Sequence, residues 1–331
     1  MHKTLVTGGA GFIGSHVARQ LWAMKHHVVI LDDLSGGLLE NIPTGVDFVK
    51  GSILDHQLLA ELFEKYQFDY VYHLAAYAAE GLSHFIKRFN YQNNLTGSVN
   101  LLNECIKHEV KCFVFVSSIA VYGSQQTPMT EDMIPQPEDP YGIAKYAFEM
   151  ELKASKEMFG QDYIIFRPHN VYGENQNLND PYRNVLGIFM NQILNGEPLT
   201  IYGDGSQTRA FSYIDEVAPV IARSVENPSA YGEIFNIGSD HTCSVRDLAQ
   251  MIQVAFDSQA TIHFLDERKE VHHAFCAHDK LKAYFAPVSS VSLQEGIVRM
   301  AGWAKKAERK ASYKFDEIEI YKNLPSNWKL D

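Results

Sequence analysis

Thr7-Gly8-Gly9-Ala10-Gly11-Phe12-Ile13-Gly14, placed directly after the run Lys3-Thr4-Leu5-Val6, decides how this chain is read. Glycines at 8, 11 and 14 let a strand turn sharply into a helix, let the backbone approach a bound group, and let helix pack on strand. A helix starting there, expected over 13–24, offers unpaired N–H groups and partial positive charge to a phosphate. Such a turn is a weak signal alone. The next strand strengthens it. Val28-Val29-Ile30-Leu31-Asp32 is apolar and ends in a carboxylate about 20 residues after the glycines. An acid there binds the ribose 2′-hydroxyl and repels a 2′-phosphate, so NAD is expected over NADP. Asp33 competes for that role, one of the pair being free to cap the next turn. No Arg follows within 34–37.

Outward from this turn, apolar runs at 4–6, 28–31, 46–50, 70–75, 112–117 and 163–167 alternate with helical stretches at 13–24, 57–66 and 94–108. Strands that are nearly all Val, Ile, Phe and Tyr belong to a parallel sheet covered on both faces. The crossover rule makes the fold class α/β, a doubly wound parallel Rossmann sheet. After Pro168 the pattern changes. Residues 175–182 read as a polar loop, with short strand-like runs at 199–202, 209–214 and 234–237 and helical ones at 244–256 and 281–286. A smaller C-terminal α/β lobe is expected to hold the substrate. The division expected is 1–168 with 212–240 for the sheet domain, and 169–211 with 241–331 for the lobe. The tail 313–331, with Pro325 and Trp328, is expected as a surface-packed end.

Composition narrows the partners. The chain has 331 residues, 46% hydrophobic, with 29 Lys and Arg against 40 Asp and Glu. A net charge of −11 argues against a nucleic-acid surface, which needs a basic stripe. Cys105, Cys112, Cys243 and Cys276 form neither a CxxC pair nor a metal set with His, so reduced thiols and no metal are expected. No stretch reaches the roughly 18 apolar residues of a membrane span, and the N-terminal residues read as a strand rather than a signal. Asn94-Leu95-Thr96 is treated as a chance sequon. The expectation is a soluble cytoplasmic protein without membrane contact.

Redox chemistry enters with Asp139-Pro140-Tyr141-Gly142-Ile143-Ala144-Lys145, which opens a helix running to Phe159. Tyr141 and Lys145 stand at i and i+4 on one face. An ammonium beside a phenol favours the phenolate. Alone, such a pair reads equally as surface decoration. The strand before it ends in Ser117-Ser118, where a hydroxyl can bond an oxygen that gains or loses charge. Ser118, Tyr141 and Lys145 together suit alcohol–ketone interconversion by hydride transfer. His73, inside a buried run continued by Leu74-Ala75-Ala76, reads as a packed residue, and the small residues after it allow a ligand to come close.

These motifs, with Arg167-Pro168-His169-Asn170-Val171-Tyr172-Gly173, Gly203-Asp204-Gly205, Arg209 and Tyr213-Ile214-Asp215, resemble the extended short-chain dehydrogenase/reductases, in their nucleotide-sugar epimerase/dehydratase branch. The resemblance covers nearly the whole chain. It implies a tightly held NAD touching Gly8, Gly11, Phe12, Ile13, Gly14, Asp32, Asp33, Ser35, Ser52, Ile53, Leu74, Ala75, Ala76, Asn94, Ser117, Tyr141, Lys145 and Pro168. Relatives often carry an acid at the position of Ser52, which leaves the adenine contacts open. The resemblance also implies Ser118 as the hydrogen-bonding serine, Tyr141 as acid/base and Lys145 as its partner. Glu80, Ser118, Asn170, Asn184, Tyr202, Arg209 and Arg268 would meet a nucleotide sugar. The arginines suit a diphosphate on chemical grounds as well, although Arg268 sits in a charged run that also suits a surface salt bridge.

Residues 119 and 120, next to Ser118, discriminate between reactions of this branch. Sugar 4,6-dehydratases have an Asp-Glu pair where this chain has Ile119 and Ala120; UDP-glucuronate decarboxylases have Glu, and GDP-mannose 3,5-epimerases Cys, at the position of Ala120. The resemblance therefore implies a 4-epimerase, most like those of UDP-glucose and UDP-galactose. Tyr141 would take the proton of the 4-hydroxyl, and the ketose would turn before reduction. Phe275, seven residues after Arg268 by ungapped spacing, falls where bulk disfavours acetamido sugars. Glu80, in Ala78-Ala79-Glu80-Gly81-Leu82-Ser83, departs from the usual pattern and keeps another epimerase chemistry open. UDP-glucuronate 4-epimerase, a GDP-sugar epimerase or dehydratase, and a silent NAD sensor are the alternatives. By the same resemblance, helices 94–108 and 141–159 would pair in a homodimer, although the stripe Leu95, Val99, Leu102 and Ile106 could equally be core.

Overall fold

The structure, a computed structural model, describes residues 1–331 except 183, 268–271, 287–289, 308–314, 326–327 and 329–331. The chain opens with β1 (Lys3–Thr7), α1 (Phe12–Ala23), β2 (His27–Asp32), β3 (Asp47–Lys50), α2 (His56–Tyr66) and β4 (Tyr70–His73). It continues with α3 (Glu80–Ser83), α4 (Lys87–Tyr91), α5 (Gly97–Lys107), β5 (Cys112–Val116), α6 (Pro140–Phe159) and β6 (Tyr163–Pro168). A seventh strand, β11 (Ile234–Ile237), joins from far along the chain. The sheet order is β11-β6-β5-β4-β1-β2-β3, and each adjacent pair is parallel. The expected doubly wound α/β sheet is what the chain forms. Strand order reverses between β1 and β4, which opens a crevice at the carboxyl edge.

β5 shows why these runs become buried strands. Every residue is buried, and the period of two sends Cys112, Val114 and Val116 into one core and Phe113 and Phe115 into the other. Each such Val or Phe contributes roughly 1.5–3 kcal/mol by leaving water. α6 starts where Asp139 accepts from the Gly142 amide and Pro140 fills the first turn. It stops at Gly160, which takes the left-handed conformation at φ 73°.

Expectation and structure part at 94–108. The helix there is interrupted by a π-helical turn, Gln92–Thr96, before α5 begins at Gly97. The wider turn directs Asn94 inward, where its Oδ1 accepts from the Tyr77 amide at 2.9 Å and its Nδ2 donates to the Tyr77 carbonyl at 3.1 Å. The run 70–75 also ends as a strand at His73, because residues 74–76 turn to meet the glycine-rich loop.

The rest of the chain comprises β7 (Val171–Tyr172), α7 (Val185–Leu194), β8 (Leu199–Tyr202), β9 (Thr208–Ala210), β10 (Ser212–Tyr213) and α8 (Ile214–Arg223). After β11 come β12 (Thr242–Ser244), α9 (Val245–Phe256), β13 (Ile262–Leu265), β14 (His273–Ala274), α10 (Asp279–Tyr284) and α11 (Leu293–Ala304). They form small sheets, β12-β9-β14, β8 with β13, and β7 with β10. α7 and α11 pack on α9, while α8 lies along α1. The run 209–214 is thus not one strand. Phe211 separates β9 from β10, and the Glu216 carboxylate, accepting from the Tyr213 amide at 3.2 Å, starts α8. The described residues of the tail pack on the body, as expected, with Ile320 and Tyr321 left exposed. Phe315, Ile318, Leu324 and Trp328 are buried with Tyr77, Leu82, Ile86 and Tyr182. Among the described residues, no helix is long and apolar enough to cross a membrane.

Just beyond β6, His169 is buried between the sheet and the later elements. Its Nδ1 faces the Ala210 carbonyl at 3.1 Å and so carries the proton there. Its Nε2 meets Nε2 of His278 at 3.0 Å, and His278 Nδ1 meets Asp240 at 2.6 Å. Burial first, and then the second imidazole, hold His169 down to about 4 from 6.5. The unfolded chain therefore binds a proton here that the folded chain refuses between those values, and stability falls as pH falls through that window. Wild type should lose roughly 3 kcal/mol more stability than His169→Gln between pH 7 and pH 4. Denaturant titrations at several pH values check this, and parallel curves would refute it.

Candidate active site

The glycine-rich turn leaves room that side chains would fill. Gly8 holds φ 70°, and a Cβ there would stand 2.6 Å from the Ala75 nitrogen. A Cβ on Gly14 would stand 2.1 Å from the Gly8 carbonyl oxygen. Gly11 is the N-cap of α1, and among the described residues no side-chain cap bonds its first amides. The cradle and the open helix end fit a pyrophosphate. Leu74 and Ala75 close against the turn, their amides donating to the Thr7 carbonyl at 3.1 Å and hydroxyl at 3.3 Å. Ala76 comes next, half-buried, and Phe12 and Ile13 lean on the main core.

Asp32 is buried at the end of β2. Its oxygens accept from the Ala10 amide at 3.0 Å and the Leu34 amide at 2.8 Å. Burial pushes its carboxyl up, opposed by those two amides. Asp33 is exposed and accepts from the Ser35 amide at 2.9 Å. Both acids therefore cap the next turn, and only Asp32 is also tied to the glycine-rich loop. Ser52 caps its own turn through the Leu54 amide at 3.2 Å, and Ile53 is buried in the second core against Gly97.

The redox candidates converge on the carboxyl edge of β5. Lys145 is fully buried on α6, with Nζ donating to the Val116 carbonyl at 2.9 Å and standing 5.8 Å from the centre of the Tyr141 ring. Burial lowers its ammonium to about 7, against the pull of the Glu149 carboxylate. Tyr141 is 6% exposed, and its amide donates to Ser83 Oγ at 3.3 Å. Ser118 begins a single 3₁₀ turn, Ile119–Val121, its Oγ accepting from the Ala120 amide at 3.1 Å. The Ala120 carbonyl lies against Gly142, where a Cβ would stand 2.5 Å away. Ile119 and Ala120 thus border the first turn of α6 and bring no carboxylate to it.

Beneath them lies a network that the sequence did not announce. Glu149, fully buried on α6, accepts from Ser117 Oγ at 2.6 Å and pairs with Arg167 of β6 at 2.5 and 3.0 Å. Arg167 donates to the Tyr122 hydroxyl at 2.8 Å, which donates to Asn236 of β11 at 2.8 Å. His73, also fully buried, bonds Thr7 and Ser98 hydroxyls at 2.7 and 2.8 Å, and burial holds it well below the usual imidazole range.

The expected substrate residues are more scattered. Pro168 ends β6 beside Ile237, and Asn170 lies just after it at φ 39°, donating to the Ala210 carbonyl at 3.2 Å. Asn184 caps α7 through the Leu186 amide and donates to the Val171 carbonyl at 2.8 Å. Tyr202 ends β8. Arg209, central in the β12-β9-β14 sheet, donates from Nη1 to the Thr208 and His272 carbonyls at 2.9 Å. Glu80 is exposed at the start of α3. Arg268 lies outside the described residues.

With this geometry in view, comparisons with known proteins agree. The NAD dependent epimerase/dehydratase family matches residues 4–238. A putative UDP-glucose 4-epimerase of Methanocaldococcus jannaschii is 35% identical, over 92% of this chain and 99% of its own. The crystal structure of the Thermotoga maritima UDP-glucose 4-epimerase with UDP-glucose superposes with TM-score 0.88 at 34% identity, covering 92% of this chain and 99% of that one. That of the Bacillus cereus UDP-glucuronic acid 4-epimerase, with UDP-glucuronic acid and NAD, gives 0.84 at 30% identity, covering 92% and 99%. The chain belongs to the NAD-dependent epimerase/dehydratase family and is an epimerase.

Proposed function

We propose that this enzyme is a nucleotide-sugar 4-epimerase acting on a UDP-hexose, with UDP-glucose and UDP-galactose as the interconverted pair. One observation carries the reading. Tyr141 and Lys145 sit one turn apart, buried at the sheet's carboxyl edge, and the neighbouring Ile119 and Ala120 supply no second acid. NAD, held at Gly8, Gly11 and Gly14, supplies the hydride acceptor and donor. Lys145, fixed by the Val116 carbonyl, favours the Tyr141 phenolate through its charge. Tyr141 takes the proton of the sugar 4-hydroxyl and returns one to the same oxygen after the hexose has turned. Ser118, whose Oγ already accepts from Ala120, donates its own hydrogen to that oxygen and holds it as its charge changes. Arg209 and Arg268 are assigned to the diphosphate, and Asn170, Asn184 and Tyr202 to the rest of the substrate. Phe275, seven residues after Arg268, is assigned to limiting the space for a 2-acetamido group.

One feature favours a second reading. Glu80 is exposed at the head of the turn whose Ser83 bonds Tyr141, which suits an additional base for another epimerase chemistry. We also propose a homodimer through α5 and α6. Ile143, Met150 and Met158 are 40%, 55% and 75% exposed on α6, and with Ala147 and Ala154 they form an apolar stripe at helical spacing. Along the π-helical turn and α5 the expected stripe divides, with Leu102 in the core and Leu95, Val99 and Ile106 half-buried beside it.

Incubation with UDP-glucose should yield UDP-galactose, and Tyr141→Phe should lower kcat about 10²–10⁴-fold while bound NAD stays. Wild-type turnover by that variant would remove the mechanism. For assembly, light scattering should show a dimer that Met150→Lys converts to monomer; a monomeric wild type would refute it.

A further inference from the structure

Residues 315–325 and Trp328 of the C-terminal tail pack on the segment that joins β4 to the π-helical turn. Trp328 stacks edge-on against Tyr182 at 5.2 Å and Phe85 at 6.2 Å between ring centres. It also lies over Gly81, where a Cβ would come within 3.1 Å of its ring. Phe315 packs on Tyr77 and Phe89 at 5.4 and 5.0 Å, and its amide donates to the Tyr182 hydroxyl. Glu319 accepts from the amides of Arg88 and Phe89, both at 2.9 Å, in the first turn of α4, whose N-cap Ile86 provides no side-chain cap. The amides of Glu319 and Ile320 donate to the Phe85 carbonyl.

The covered segment touches the first turn of α6 twice. Ser83 Oγ donates to the Glu80 carbonyl at 2.6 Å and accepts from the Tyr141 amide. Asn90 Nδ2 donates to the Pro140 carbonyl at 2.8 Å, and its Oδ1 accepts from Asn94. Both contacts come from turns that the tail holds down, α3 under Trp328 and α4 under Glu319. A hydroxyl that exchanges a proton with a bound sugar must be placed to within a fraction of an ångström, and small misplacements cost about 10²-fold.

We propose that the tail is a strap that positions Tyr141, with Trp328 and Glu319 as positioning residues acting through Ser83 and Asn90. The inference rests on Tyr141 being the acid/base. The glycine cradle and Asp32 lie outside this contact set, so the cofactor keeps that hold when the strap is loosened, although Asn94 and Tyr141, also assigned to it, lie within the set.

The test compares full-length Trp328→Ala, Trp328→Phe, Glu319→Ala and Tyr141→Phe with wild type. It measures UDP-glucose turnover, bound NAD and amide exchange. Trp328→Ala should lower kcat about tenfold or more with full NAD content, and the Ser83 and Tyr141 amides should exchange faster. Trp328→Phe should recover most of kcat. Glu319→Ala removes the caps without opening an apolar cavity, and should lower kcat in the same way even where Trp328→Ala does not fold. Wild-type kcat in the strap variants beside an inactive Tyr141→Phe would overturn the strap alone. Loss of NAD in step with kcat would also overturn it, since the tail would then be merely structural. An active Tyr141→Phe would remove the reading beneath it.

Discussion

A carboxylate with no access to water fixes the geometry of this enzyme. Glu149 is fully buried on α6 and is held by Ser117 at the end of β5 and by Arg167 on β6. Removing one partner of such a pair leaves a buried charge uncompensated, which costs roughly 3–5 kcal/mol. The helix is thereby locked to two strands at one register. Since Lys145 lies one turn before Glu149 on the same helix, the lock also sets Lys145 against the Val116 carbonyl. It keeps an opposite charge near an ammonium that burial drives down to about 7. Fold and chemistry share this contact.

Legibility in the sequence tracked the range of the physics. Gly8, Gly14 and Asp32 could be read because a glycine turn and a strand-end acid are local requirements, and the structure gives them local reasons, clearance for backbone and capping of the next turn. The parallel sheet could be read because both cores demand unbroken apolar strands. Glu149 could not. In the sequence it is one acid among several on a long helix, and its burial is decided by Arg167, 18 residues away. The only local sign was the i, i+4 spacing from Lys145, which equally describes an exposed pair. The π-helical turn escaped for a similar reason. There Asn94 reaches back to Tyr77, a contact that helical periodicity does not encode.

The same distinction runs through the substrate side. Asn184 and Arg209 are tied into caps and strand carbonyls, so any ligand they meet finds them already oriented, as preorganised sites require. The tail has no periodicity, yet Phe315 and Trp328 bury themselves beside Tyr77 and Tyr182. Phe315, Leu324 and Trp328 were visible as apolar residues, but their docking place depends on a surface formed 230 residues earlier, as the Glu319 contact with Phe89 shows.

The chemistry assigned to this site alters one carbon. UDP-glucose carrying deuterium at C4, converted in light water, tests that directly. The expected product is UDP-galactose with the deuterium still at C4 and, when unlabelled substrate is converted in heavy water, no deuterium on any sugar carbon. Loss of the C4 label, or solvent deuterium at C3 or C5, would contradict it and assign the proton transfers to carbon, with Glu80 as the candidate base.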